Sequence, residues 1–150
     1  MKNNLRFTAD LTQLLLVVED SDEDFETLQR LLRRAPLAVP LHRCLNGDQA
    51  LAFLTQTKTD LNSEGYLRPN MILLDLNLPG TDGREVLRQV KQDDDLKSIP
   101  VVVFTTSNNP KDINACYQYG VDKYIVKSID FKQLKQDIQM LVDYWFKVTT

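Results

Sequence analysis

Carboxylate, hydroxyl and ammonium side chains recur directly after short apolar runs of the sequence. Glu19 and Asp20 follow LLLVV, Asp75 follows MILL, Thr105 follows VVVF and Lys127 follows YIV. Hard dications such as Mg²⁺ prefer a few carboxylates completed by water and phosphate oxygens. The three acidic residues therefore form a candidate magnesium site, in which Asp20 and Asp75 bind directly and Glu19 binds directly or through water.

The same residues could also carry a covalent phosphoryl group. Clustered carboxylates repel one another, and a bound metal relieves that repulsion. Asp75 could then act as a carboxylate nucleophile toward a phosphodonor. Lys127 would pair with the phosphoryl oxygens, and the Thr105 hydroxyl would donate a hydrogen bond to them. The backbone carbonyl of Asn77, just after Asp75, would complete the metal ligands.

Each of these residues has an ordinary structural role when it is taken singly. A carboxylate after a buried strand, such as Asp75, is often only a helix N-cap. A lysine such as Lys127 is usually a solvated charge, and Thr105 is a β-forming residue. Their occurrence in order after successive apolar runs favours the chemical interpretation.

Four apolar runs without alternation are typical of strands that are buried on both faces. They are residues 14–18, 71–74, 101–104 and 124–126, and a weaker run at 39–44 could be a fifth strand. Helical segments separate the runs, so the order is strand–helix five times. Right-handed crossovers then give one doubly wound α/β sheet, in which ligands bind at the carboxyl ends of the strands.

Helix signals lie between the strands. Apolar residues at three- and four-residue spacing predict one helix face, and polar pairs three residues apart predict capping boxes. Asn109 before Pro110 predicts a cap with proline at the first helical position, and Gly120 predicts the end of that helix. The apolar face comprises Phe25, Leu28, Leu31, Leu32 and Ala35, and the pairs are Asn46 with Gln49, Asp82 with Glu85, and Asp130 with Gln133.

The composition is that of an ordinary globular protein. Of 150 residues, 43% are hydrophobic and 26% are charged, and the net charge is −3. No basic tract suits nucleic acid, and no apolar run approaches the roughly 20 residues of a membrane span. Without a signal-peptide pattern, the isolated Cys44 and Cys116 predict packed, reduced thiols in a cytoplasmic protein. We expect one domain over 1–150, with its core at about 14–146 and a surface loop at Thr57–Pro69.

Four motifs together resemble the receiver domain of two-component response regulators, from about Leu14 to Trp145. The motifs are VVEDSDED, LLDLNLPGTDG, VVVFTTS and YIVKS. The resemblance implies a flavodoxin-like, CheY-like fold with strand order 2-1-3-4-5 and five helices. It also implies a phosphoprotein of a phosphorelay, with Asp75 as the phosphoacceptor and with Thr105 and Tyr124 as switch residues. The receiver domain would itself hydrolyse its phosphoryl group, and no separate catalytic domain is expected.

Longer phrases are similar to the small regulators that partner cyanobacterial phytochromes. They are RPNMILLDLNLPGTDGREVL, IPVVVFTTS and the lysine–serine pair Lys127–Ser128 where most receivers have lysine–proline. This similarity implies a sensor histidine kinase, with a phytochrome as the candidate, as phosphodonor. A cis bond before Ser128 would cost about 3–4 kcal/mol, so we expect either a trans bond or a strained cis bond held by the site.

The output surface is expected on the last two helices and the fifth strand, and the final helical segment is unusually aromatic. One apolar stripe is expected to face the core, while Tyr144 and Phe146 point elsewhere, through either partial burial or a self-association patch. We therefore expect a homodimer through the C-terminal helix and fifth strand, and a downstream protein target. The stripe comprises Ile138, Leu141, Val142 and Trp145.

Three other functions fit parts of the pattern. A phosphatase of the haloacid-dehalogenase type needs a second carboxylate two residues after its aspartate, where Asn77 stands. A flavodoxin-like cofactor module needs a phosphate-cradling loop after the first strand, where the acidic EDSDED would repel phosphate. A receiver-like scaffold that is never phosphorylated is opposed only by the completeness of the site.

Overall fold

The computed structural model describes residues 13–34, 39–59 and 68–149. Five strands alternate with five helices, and the strands form one parallel sheet in the order β2-β1-β3-β4-β5. The elements are β1 Leu15–Val18, α1 Asp22–Arg34, β2 Leu41–Cys44, α2 Gly47–Thr59, β3 Met71–Leu74, α3 Gly83–Gln92, β4 Val101–Thr105, α4 Pro110–Tyr119, β5 Lys123–Val126 and α5 Phe131–Thr149. The doubly wound sheet and its strand order are confirmed.

Helices cover both faces of the sheet, which explains the absence of alternation in the central strands. Every residue of β1, β3 and β4 is buried. Alternate residues of these strands belong to two separate core clusters. One cluster joins them to α2, α3 and α4, and the other joins them to α1 and α5. The predicted stripe of α5 lies in the second cluster, at Ile138, Leu141, Val142 and Trp145.

The element bounds differ from the expected ones by a few residues. The second strand begins at Leu41 rather than Val39. Helix α2 continues to Thr59, three residues into the predicted loop, because its side chains still pack there, as the buried Thr57 shows. The rest of that loop up to residue 67, and Ala35 of the first helix, lie outside the described residues.

Three of the predicted helix ends have the expected caps. The Gln49 N–H donates to Asn46 Oδ1 at 2.8 Å, and the Gln49 side chain accepts from the N–H of Leu45, so the return bond reaches one residue beyond the cap. Asn109 accepts from the Lys111 N–H ahead of helix α4. That helix ends at Gly120, whose φ of 99° is left-handed and favours glycine.

The predictions of the other two capping boxes, Asp82 with Glu85 and Asp130 with Gln133, are wrong. Asp82 does cap α3 through the Arg84 N–H, but Glu85 forms an ion pair with Arg88 instead. Gln133 likewise donates to Asp137 at 3.0 Å rather than returning to Asp130. In both cases the side chain that would complete the capping box interacts instead with a charged residue one turn further along the helix. None of the helices in the described part of the chain is long and apolar enough to cross a bilayer.

Two glycines let helices approach the loop that follows β3. A Cβ added at Gly83 would lie 2.2 Å from the Asp75 carbonyl oxygen. A Cβ added at Gly47 would lie 2.0 Å from the Thr81 carbonyl oxygen. The first turns of α3 and α2 therefore contact this loop backbone closely, from two sides.

Candidate functional site

The parallel register brings four strand ends to one edge of the sheet. Val18 of β1 pairs with Leu74 of β3, and the next residues are Glu19 and Asp75. The Asp75 N–H donates to the Val18 carbonyl at 3.1 Å, which continues the pairing beyond the strands. On the other side, the Lys127 N–H donates to the Thr105 carbonyl at 2.6 Å. The predicted chemical residues are therefore neighbours in space.

Glu19, Asp20 and Asp75 form an acidic triad whose possible ligand oxygens all lie within 4.8 Å of one another. Glu19 is 5% exposed and Asp75 is 8% exposed, whereas Asp20 is on the surface. The Ser21 and Asn77 N–H groups donate to Glu19 and Asp75 at 3.2 and 3.3 Å, which orients both carboxylates. Because all the donors are oxygens, the triad can bind a hard divalent cation.

Lys127 is the counterion of this cluster. Its ammonium lies 2.5 Å from Glu19 Oε1, 2.9 Å from Asp24 Oδ2 and 3.2 Å from Asp75 Oδ2. The side chain is only 9% exposed. The described peptide bonds are all trans, including Lys127–Ser128. Of the two expected geometries, the structure therefore has the trans one.

Burial and charge act in opposite directions on the ionisation of this pair. Burial raises the pKa of Glu19, the hydrogen bond from Lys127 offsets this only in part, and the charge of Asp75 raises it further. Burial works to lower the pKa of Lys127, but the hydrogen bond to Glu19 and the charge of Asp75 outweigh it and raise the pKa. The ammonium therefore stays charged, and the carboxylates around it retain an excess of negative charge.

The two predicted switch residues meet at Ser107. Thr105 is fully buried as the last residue of β4, and its hydroxyl oxygen accepts from the Ser107 N–H at 3.4 Å. Tyr124 is half-buried against the core, and its hydroxyl donates to the Ser107 carbonyl at 2.8 Å. The sequence placed both residues near the site but did not indicate this shared contact.

Two residues near the triad were missed by sequence reasoning. Asp24, in the first turn of α1, is a third carboxylate on Lys127. Arg43 of β2 donates to the Glu19 carbonyl at 3.0 Å and to Asp22 at 2.8 Å, and it lies over the Phe25 ring. The acidic run EDSDED could have indicated that Asp24 lies near the triad, because a residue in the first turn of α1 stays close to the end of β1.

The comparison with protein families agrees with this geometry. The model of the response regulator receiver domain matches residues 15–139. The chain belongs to this family. It is a response regulator with a receiver domain, as its motifs and strand order indicated.

Similar proteins come from several sources. The response regulator Rcp1 of Synechocystis sp. is 44% identical over 92% of each chain. The probable methanogenesis regulatory protein FilR2 of Methanothrix harundinacea is 34% identical, over 88% of this chain and 83% of FilR2.

Two solved structures share the fold of this receiver domain along nearly its whole length. The Mn²⁺-bound form of response regulator Rcp1 is 43% identical with a TM-score of 0.81, over 92% of this chain and 97% of that chain. The phosphorylated cyanobacterial phytochrome response regulator RcpA is 38% identical with a TM-score of 0.80, over 92% and 96%.

Proposed function

We propose that this response regulator accepts a phosphoryl group on Asp75 and changes a protein-binding surface in response. The observation that carries the proposal is the position of the Asp75 carboxylate. It is buried, it belongs to the acidic triad, and it lies 3.2 Å from the Lys127 ammonium. A carboxylate held in this way can act as a nucleophile, while the Lys127 ammonium and a cation bound by the triad would balance the negative charge of the incoming group.

The transfer would be an in-line displacement at phosphorus. One Asp75 carboxylate oxygen forms the new bond to phosphorus, the bond to the donor breaks, and the donor atom keeps the bonding electrons. Lys127 would pair with the phosphoryl oxygens, and the Thr105 hydroxyl would donate to one of them. Attack of water on the aspartyl phosphate would release inorganic phosphate and restore Asp75, so autodephosphorylation needs no separate catalytic domain.

Mg²⁺ is the cofactor that the oxygen ligands favour. Glu19, Asp20 and Asp75 would hold it, and the backbone carbonyl of Asn77 is the further ligand expected from the sequence. That the similar regulator Rcp1 has a Mn²⁺-bound form supports a divalent cation as the ligand. A bound dication would neutralise charge that develops on the phosphoryl oxygens.

The phosphodonor that the relatives support is a sensor histidine kinase of the phytochrome class. RcpA is a cyanobacterial phytochrome response regulator, and response regulator RPA3017, 30% identical with a TM-score of 0.78, acts in red light signalling of R. palustris. Phosphoryl transfer from such a kinase to Asp75 should therefore depend on whether the kinase has been exposed to red or far-red light. Equal transfer in both conditions would contradict the phytochrome assignment.

The proposed output is a homodimer through α5 and β5, which binds a downstream protein. Phe146 and Met140 on α5 are 42% and 46% exposed. Tyr144 is half-buried against the core and lies under the Lys123 ammonium, so it contributes less to this surface than the sequence suggested. Sedimentation velocity with and without beryllofluoride tests this proposal, and a monomer at high concentration in both conditions would contradict it.

Incubation with MgCl₂ and acetyl phosphate, followed by intact-mass measurement, tests phosphorylation. We expect a gain of one phosphoryl group that is absent in Asp75→Ala. Asp94→Asn is the matched control, because Asp94 is 93% exposed and precedes β4, at the opposite edge of the sheet. Steady hydrolysis of a phosphoester, or no adduct in the wild type, would contradict the proposed function.

A further inference from the structure

A chain of polar contacts joins the loop that begins at Asp75, after β3, to the loop that follows β4. Asp82 ends the loop after β3 and caps α3. Arg84 Nη1 lies 2.9 Å from both Asp82 carboxylate oxygens, and Arg84 Nε lies 2.9 Å from Asp112 Oδ1. The Ser107 hydroxyl in the loop after β4 donates to Asp112 Oδ2 at 2.5 Å. The contacts therefore run without a gap from the Asp75 loop to the Thr105 loop.

The central ion pair of this chain is partly shielded from water. The side chains of Arg84 and Asp112 are 28% and 20% exposed. The hydrogen bonds from Arg84 and from Ser107 hold the pKa of Asp112 below its ordinary range. Asp112 is thus an anion at neutral pH, and it offers Ser107 a charged acceptor.

Ser107 connects this ion pair to both switch residues. Its N–H donates to the Thr105 hydroxyl oxygen, and its carbonyl accepts from the Tyr124 hydroxyl. With one lone pair of the Thr105 oxygen engaged by this amide, the hydroxyl proton is available for a different acceptor. A displacement of Ser107 would therefore change the position of Thr105 and Tyr124 together.

We propose that Arg84 and Asp112 are positioning residues of the receiver switch. Their ion pair fixes Ser107, and through Ser107 it orients the Thr105 hydroxyl and the Tyr124 ring. The inference rests on the proposed function, because Thr105 acts on the group that Asp75 accepts. Neither Arg84 nor Asp112 touches the acidic triad in the described contacts, so they act through Ser107.

Two variants break the connection at different points. Asp112→Asn keeps the shape of the side chain and removes the ion pair, and Ser107→Ala removes a single oxygen atom. Glu85→Gln is the control. The Glu85–Arg88 ion pair lies on α3, as Arg84 does, and its side chains are 35% and 38% exposed, which is close to the exposure of Arg84. It has no described contact to the loop after β4. Thermal unfolding of each protein reports whether it is folded.

The measurements are the Tyr124 signal and the lifetime of the phosphoryl group. Each protein is labelled with 3-fluorotyrosine, and the Tyr124 ¹⁹F resonance is assigned with Tyr124→Phe. The protein is then phosphorylated with acetyl phosphate and MgCl₂, the donor is removed, and loss of the phosphoryl group is followed by intact mass.

We expect Asp112→Asn and Ser107→Ala to shift the Tyr124 resonance before donor is added, and to shorten the phosphoryl half-life at least threefold. Glu85→Gln should change neither. A wild-type resonance and half-life in Asp112→Asn and Ser107→Ala would overturn the positioning role. If the wild type takes up no phosphoryl group, the proposed function is wrong, and the Tyr124 resonance of the two variants alone decides the positioning role. If Asp112→Asn does not fold, Ser107→Ala decides it.

Discussion

At the scale of single residues, several carboxylates compete for one ammonium. Lys127 is held by Glu19, Asp24 and Asp75, of which Asp24 lies outside the acidic triad. The proposed transfer to Asp75 would require the Lys127 ammonium to turn toward the phosphoryl oxygens. Its contact with Asp24 opposes that movement, and because the Asp24 side chain is 47% exposed, solvent weakens the contact.

Asp24→Asn should therefore increase the phosphorylated fraction at a fixed concentration of acetyl phosphate. A half-exposed ion pair contributes about 0–1 kcal/mol, so we expect an increase of roughly twofold in intact-mass measurements. Asp22→Asn is the control, since Asp22 pairs with Arg43 and its side chain is 90% exposed. A lower phosphorylated fraction in Asp24→Asn would show that Asp24 assists the transfer instead.

The thiols give a second test at this scale. Burial raises the pKa of Cys44 and of Cys116 to about 11. At pH 8 only about one thiol in a thousand would then be ionised, and thiolate is the reactive form. We expect little reaction with Ellman's reagent in the folded protein and complete reaction in urea. Rapid labelling of the native protein would contradict the expectation of packed thiols.

The sequence predicted which residues meet but not how they pair. Glu19, Asp75 and Lys127 could be placed together because parallel strands end at the same edge of a sheet. The contact of Lys127 with Asp24, and that of Ser107 with Asp112, depend on side-chain rotamers and loop geometry. Asp24 and Lys127 are 103 positions apart in the chain, and strand order places their neighbourhoods together without specifying that these two side chains form an ion pair.

At the scale of elements, helix α5 contains one buried carboxylate. Asp137 is 6% exposed, and its Oδ1 accepts from Gln133. Its Oδ2 is buried and has no hydrogen-bond partner among the described residues. A buried polar atom that lacks a partner destabilises a fold by about 1–3 kcal/mol, and by more when it is charged.

Asp137→Asn should accordingly stabilise the protein, by about 1 kcal/mol in urea unfolding, because it removes a buried charge and keeps the shape of the side chain. Asp143→Asn is a closely matched control. Asp143 lies on the same helix and accepts from Gln139 four residues earlier, but it is exposed. Equal or lower stability of Asp137→Asn would indicate that the carboxylate is hydrated or paired in solution.

Helix and strand positions followed from apolar periodicity, because burial sets the hydrophobic pattern along each element. The ends were harder to predict. Asn109 with Pro110 was sufficient for α4, since the cap and the proline act locally. Glu85 and Gln133 were misassigned because each had a charged neighbour that competed with the cap.

At the scale of the whole molecule, one edge of the sheet concentrates negative charge. The folded-state pKa of Glu19 is raised by burial, so its charge destabilises the fold at neutral pH. This destabilisation disappears as the pH falls below the unfolded-state pKa of the residue. A cation that binds the triad only in the folded protein should remove it without a change of pH.

Mg²⁺ should therefore raise the melting temperature. Ligand at one hundred times its Kd adds about 2.7 kcal/mol, which corresponds to a shift of roughly 5–10 °C for a chain of this size. The shift should be larger at pH 8 than at pH 5, because protons compete for Glu19. NaCl at matched ionic strength is the control, and Asp20→Asn should reduce the shift. An unchanged melting temperature in Mg²⁺ would contradict metal binding by the triad.

The close approach of two helices to the loop after β3 has a consequence for how this sequence can vary. Gly83 and Gly47 have no reactive group, yet any side chain there would collide with the backbone at Asp75 or Thr81. In a saturation library selected for phosphorylation, we expect only glycine at both positions. Their intolerance would match that of the acidic triad, although it would have a steric origin. In an alignment of the selected sequences, the two glycine positions would be as invariant as the positions of the acidic triad.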